Sequence, residues 1–146
     1  MRDADRGYRF SRFTGGLLIA EGVLVAAVRV ITLVYVLARE AYVADRFRTP
    51  LPEFIPWLLT SIALVMTLVW AGALLVRTPD GAWREARVVG RVVLVAACAF
   101  NVAGIVWAAS GLIRSPASVE GLVSWLVVGL ASATAALGLI CDAARR

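Results

Sequence analysis

Residues 15–38 read GGLLIAEGVLVAAVRVITLVYVLA, and this stretch decides the fold. It exceeds the roughly 20 apolar residues that cross a hydrocarbon core of about 30 Å, yet it carries two ionisable side chains, Glu21 and Arg29. Three further apolar runs follow, from about Phe54 to Val76, Val88 to Leu112 and Ala117 to Cys141. All four are predicted to be helices, because backbone exposed to lipid must satisfy its own hydrogen bonds and none shows the alternating pattern of barrel strands. The predicted fold is an all-α integral membrane protein, residues 1–146 forming one domain of four transmembrane helices. They are expected to make an antiparallel bundle with both termini cytoplasmic.

Composition supports this class, with 61% apolar residues, 17% charged residues and a mean hydropathy of +0.84. The spans and their connections consume nearly the whole length, so any activity is expected to be built from the bundle itself. All 15 basic residues are arginine and there is no histidine. The arginine bias fits a GC-rich bacterial source, and the plasma membrane of a bacterium is the expected location. Lack of histidine removes the usual axial haem ligand, the commonest zinc ligand and the standard near-neutral proton shuttle. Cys98 and Cys141 fall on different spans and are read as small buried apolar residues, so no cofactor or metal is expected.

Helix-breaking residues set the boundaries. Thr49, Pro50, Leu51, Pro52 and Pro56 precede the second span, with proline tolerated only near its first turn. Thr78, Pro79, Asp80 and Gly81 separate spans two and three. Ser115 followed by Pro116 reads as a cap with proline at the first helical position, making spans three and four a tight hairpin. A cleavable signal peptide is the alternative for the first run, since Ala26 and Ala27 are small. Apolar character continues to Leu37, beyond a typical signal core, which favours a retained span.

Arginine placement predicts orientation. Arg2, Arg6, Arg9, Arg12, Arg77, Arg84, Arg87, Arg91, Arg145 and Arg146 fall on one side, against Arg39, Arg46, Arg48 and Arg114 on the other. The richer side is expected to be cytoplasmic. Tyr35, Tyr42, Trp57, Trp107 and Trp125 then form an outer aromatic belt, with Trp83 at the cytoplasmic edge. The net charge of +5 is thereby explained by topology, and nucleic acid is not an expected partner. Arg84, Arg87 and Arg91 fall at helical spacing at the start of the third helix, a basic face for anionic lipid headgroups.

Small residues mark the packing faces. Gly90, Ala97, Gly104 and Gly111 recur every seventh position on the third helix, with Asn101 and Ala108 on the same face. Gly129, Ser132, Ala133 and Ala136 form a similar stripe on the fourth, and the two faces are expected to meet. Counting about 1.5 Å per residue from Gly15, Glu21 lies about 9 Å and Arg29 about 20 Å from the cytoplasmic end. Eight positions separate them, so they point roughly 80° apart and are poor partners for each other. Arg91 is the expected partner of Glu21, and Asn101 or Glu120 that of Arg29.

Intramembrane ionisable groups carry a default expectation of function, because each costs about 2.5–3.5 kcal/mol at a helix centre. Leu17–Gly22, LLIAEG, looks like the first helix of small multidrug resistance transporters, four-helix proteins with a membrane-embedded glutamate. The resemblance covers only these residues and implies that Glu21 exchanges protons for a cationic substrate. The chain departs from that family in its greater length, in Arg29 on the same helix and in its strong arginine asymmetry. No catalytic constellation is visible: Ser124 and Ser132 lack an activating partner, and Asp45, Glu53, Asp80 and Glu85 are spread over both sides. The expected role is a non-enzymatic accessory or scaffold subunit packing against another membrane protein or itself. A small proton-coupled transporter is the competing class.

Overall fold

The computed structural model describes the backbone of residues 2–43, 51–78, 81–114 and 118–144, and the side chains of 7–39, 55–78, 81–114 and 118–144. Among them the chain is all helical: α1 (Arg2–Val43), α2 (Leu51–Arg77), α3 (Ala82–Glu85), α4 (Val88–Arg114) and α5 (Val119–Ala144). Four of these are long and apolar enough to cross a membrane, over Gly7–Arg39, Ile55–Arg77, Val88–Arg114 and Val119–Ala144. Thr49, Pro50, Pro79, Asp80, Ser115 and Pro116 lie outside the described residues, as do Asp45, Arg46, Arg48, Arg145 and Arg146, and the side chains of Arg2, Arg6, Tyr42 and Glu53.

The first helix differs most from expectation. It begins at Arg2 and runs for 42 residues, about 63 Å and twice the core thickness that residues 15–38 alone would fill. Its early turns are held by a stripe of small and polar residues, Gly7, Ser11, Thr14 and Leu18, spaced three or four apart and all buried. Arg9 and Arg12 point away from that stripe and are exposed.

Two other boundaries also shift, and one expected face is interrupted. α2 starts at Leu51, placing Pro56 inside the helix. There Thr60 donates its hydroxyl to the Pro56 carbonyl at 2.8 Å and Ser61 donates to that of Trp57 at 2.6 Å. α5 starts at Val119 under a different cap: Ser118 Oγ accepts the Gly121 N–H at 3.1 Å, satisfying one of the orphan donors of the first turn. Finally, the expected continuous basic face on the third span is broken. Arg84 belongs to the single turn α3, Ala86 is extended at φ −64° and ψ 127°, and α4 begins only at Val88. Arg84, Arg87 and Arg91 therefore sit on three different backbone segments, all exposed. Gly81, at φ 143°, makes the entry turn that L side chains rarely adopt.

Packing runs α1 along α2 and α4 along α5, with α1–α5 and α2–α4 contacts closing the bundle. Backbones touch where α1 crosses α2: a Cβ on Gly72 would stand 2.5 Å from the Gly15 carbonyl oxygen, and one on Gly15 would stand 2.7 Å from that of Gly72. Gly104 faces Ser132, Ala108 faces Gly129, and Gly111 lies under the Trp125 ring. Gly90 instead packs on Ala86 and Leu74, and Ala97 is buried in the common core, so the sevenfold stripe of α4 serves more than one neighbour. Ala133 is half-buried on α5.

The core is not spread evenly along the bundle. Leu18, Leu68, Leu75, Leu94 and Leu139 are fully buried, together with Ala71, Ala97 and Ala135. No described residue of α1 beyond Gly22 is buried, nor any of α5 before Ser132. One half of the bundle is closed, and in the other half α1 and α5 stand open.

Candidate functional site

Glu21 lies where the closed half ends. It is adjacent to Gly22, which packs against Leu68 and Val69 of α2, and this close approach fixes the turn that carries the carboxyl group. Gly22 meets Val65, Leu68 and Val69, so Glu21 lies near the midpoint of α2. Asn101 is likewise the midpoint of Val88–Arg114. The two polar side chains thus share the central level of the apolar helices, and Asn101 is the polar neighbour of the Glu21 carboxyl.

Their hydrogen-bonding capacity is incompletely used. Asn101, fully buried, donates Nδ2 to the Ala97 carbonyl at 3.0 Å, a bond within its own helix. Asn101 Oδ1 and both Glu21 carboxyl oxygens are buried without a hydrogen-bond partner. Such groups are costly: an unmet buried acceptor loses about 1–3 kcal/mol, and more if charged. The second Asn101 amide hydrogen can turn to a carboxylate, whereas a carboxylic acid can donate to Oδ1. A cavity of about 410 Å³ opens beside them, lined by Glu21, Phe100, Gly104, Trp107, Val128 and Ser132. It is walled by α1, α4 and α5 and is apolar apart from these few groups.

The expected partners of the charged residues are replaced. Arg91 donates Nε to the Trp83 carbonyl at 3.1 Å and does not reach Glu21. Ten residues separate Arg91 from Asn101 on α4, about 15 Å of helix, which explains the missed pair. Arg29 stacks over the Trp57 ring at 4.9 Å, on α2, while the Asn101 amide donates within its own helix to Ala97. Trp57 stands six residues inside the start of α2, so Arg29 lies about 9 Å from that end of the helix. Glu120 is exposed in the first turn of α5, where its charge faces the positive end of the helix dipole.

A second polar cluster was absent from the sequence reading. At the closed end Ser11 donates its hydroxyl to Asp142 Oδ1 at 3.4 Å, both residues being buried, and Thr14 presses on the backbone at Gly138. The spacing of Gly7, Ser11 and Thr14 was the available signal. It was hidden because those positions are polar or small, not apolar.

A scan against protein-family models, a search of the curated proteins and a search of the solved structures each gave no match. The class therefore rests on the molecule itself: an all-helical bundle with four helices of membrane-spanning length and hydropathy, the shape of a multi-pass membrane protein. Its most distinctive feature is a carboxyl–amide pair at the central level, beside an open cleft.

Proposed function

We propose that the protein is a non-enzymatic accessory or scaffold subunit of a bacterial plasma membrane, and that its Glu21 cleft receives a helix of another membrane protein or of a second copy. The carrying observation is the Glu21 carboxyl group, buried without a hydrogen-bond partner at the root of the space between α1 and α5. An incoming helix bearing a donor or cation satisfies it, and Gly104 and Ser132 offer the small surface that such an approach needs. The bundle is taken as antiparallel. Support comes from contacts that advance along one helix as they retreat along the other: Gly15 with Leu75 and Gly22 with Leu68, Gly104 with Ser132 and Gly111 with Trp125. Arginine asymmetry supports cytoplasmic termini.

Photo-cross-linking from position 24, where Leu24 lines the cleft, tests the subunit reading in native membranes. The expected result is a discrete cross-linked complex that weakens in Glu21→Ala. A solitary monomer, both in the membrane and after mild-detergent purification, overturns it.

The same unpaired carboxyl beside a cavity supports a second reading, a small proton-coupled transporter in which Glu21 alternates between proton and cationic substrate. Proteoliposomes separate the two. Proton-coupled flux that disappears in Glu21→Gln supports transport and counts against a purely structural role. Flux that survives the substitution removes Glu21 from any proton pathway.

A further inference from the structure

Nearer the start of α4 than the Glu21 cleft, and sharing Ala103 with it, a second groove of about 580 Å³ runs between α4 and α5, lined by Trp83, Val95, Cys98, Val102, Leu139 and Ile140 among others. Its floor on α4 has a regular origin. Arg91, Val95, Cys98 and Val102 are spaced four, three and four apart, so they project within about 60° of one another on an ideal helix. The stripe begins in a cation and continues in apolar side chains. From Arg91 to Val102 it rises about 16 Å, close to half of a 30 Å hydrocarbon core, which is the depth of one leaflet.

At one end of the groove stands Trp83, whose carbonyl holds an arginine. Arg91 is tied to Trp83, a groove-lining residue, through its Nε bond to the Trp83 carbonyl, while Arg84 is adjacent to Trp83 and Arg87 lies in the break before α4. All three arginines are exposed. The break at Ala86 disrupts a single basic helix face and leaves Arg84, with Glu85, on the short turn that carries Trp83, and Arg87 in the link to α4. An apolar channel one leaflet long under a cluster of guanidinium groups matches one ligand class: a lipid with an acyl chain and an anionic phosphate headgroup.

We infer that the α4–α5 groove is a binding site for an anionic phospholipid of the arginine-side leaflet, its chain lying along Val95, Cys98 and Val102 and its headgroup held by Arg84, Arg87 and Arg91. Trp83, at the junction of chain and headgroup, reports on occupancy. The test uses the full chain in phosphatidylcholine nanodiscs, with Trp57, Trp70, Trp107 and Trp125 replaced by phenylalanine. Chain-brominated phosphatidylglycerol or chain-brominated phosphatidylcholine is titrated in as quencher of Trp83 fluorescence. Phosphatidylglycerol is expected to quench at about a fivefold lower mole fraction, the factor that one well-placed arginine supplies near a surface. Arg84→Gln/Arg87→Gln/Arg91→Gln brings the two lipids to parity. Val95→Phe/Val102→Phe, which fills the groove, reduces the quenching with the arginines intact.

Equal quenching in the parent chain overturns the site, and full preference in the groove-filled variant overturns the chain-binding half of it. Displacement by soluble glycerol phosphate shows that a phosphate site alone was present and overturns the lipid assignment. Native mass spectrometry of the wild-type chain from mixed nanodiscs needs no tryptophan replacement. It is expected to retain phosphatidylglycerol over phosphatidylcholine, and retention without preference overturns the inference.

Discussion

Replacing Gly72 by alanine is expected to pry α1 from α2. The new Cβ would lie 2.5 Å from the Gly15 carbonyl oxygen, 2.6 Å from Ile19 Cγ1 and 3.0 Å from the Ile19 nitrogen. Carbon–oxygen contact becomes comfortable at about 3.3 Å, so the helices must part by about 0.8 Å at this point. Ile19 can change rotamer, but the Gly15 carbonyl is locked in its helix and cannot. Overpacking of this kind costs about 1–3 kcal/mol, and the obstruction by backbone puts Gly72→Ala at about 3. Gly16→Ala is the matched control, because a Cβ there meets nothing within 4 Å. It sits beside Gly15 on the facing helix α1, adds the same methyl group and is expected to change stability by less than about 1 kcal/mol, with the sign of a helix-propensity gain. Reversible unfolding of both variants in mixed micelles, followed by tryptophan fluorescence, measures the difference. If Gly72→Ala unfolds within about 0.5 kcal/mol of Gly16→Ala, the close α1–α2 crossing is not a determinant of stability.

Gly138→Ala is expected to destabilise the closed end by about 1–3 kcal/mol through its collision with Thr14, and Thr14→Ala is expected to restore most of the loss in the double variant. Failure of that rescue, read from the same unfolding curves, removes the contact as the cause. Arg29→Gln is expected to cost about 0.5–1 kcal/mol by losing the stack on Trp57, and a double-mutant cycle with Trp57→Leu should show coupling of that size. A coupling indistinguishable from zero counts against the interaction. Asn101→Leu is expected to destabilise the wild type by about 1–2 kcal/mol but to be milder in a Glu21→Leu background, where no carboxyl is left stranded. Strict additivity of the two changes refutes an energetic link between them.

How much of this was legible in the sequence depends on where the depth count begins. Apolar run length identified all four spans, because a requirement as coarse as bilayer thickness tolerates errors of several residues. Side-chain pairing does not tolerate them. Starting α1 at Gly15 put Glu21 about 9 Å deep and Arg29 level with Asn101. Packing of Gly22 on Leu68 and Val69 instead places Glu21 near the middle of α2, the level that Asn101 holds at the middle of α4. The partners then match. The count began where the uninterrupted apolar run begins, at Gly15, although α1 starts at Arg2 and its buried positions Gly7, Ser11 and Thr14 alternate with arginines at helical spacing. Capping by Ser118 was visible in its position three residues before Gly121, but Ser115 and Pro116 gave the more familiar signal. Trp57 as the platform for Arg29 was concealed by long sequence separation, since stacking depends on which helices become neighbours.

The length of α1 has a mechanical consequence. It runs without proline or interruption from Arg2 to Val43, and its backbone-to-backbone contact, at Gly15 with Gly72, lies about a third of the way along. A rigid rod held at such a point is a lever with unequal arms of about 20 Å and 42 Å. A tilt of about 10° in the plane of the Glu21 cleft moves the short end by about 3 Å and the long end by about 7 Å. Whatever occupies that cleft, its filling is amplified at the far end of the helix, beyond the last turns that the other spans can reach.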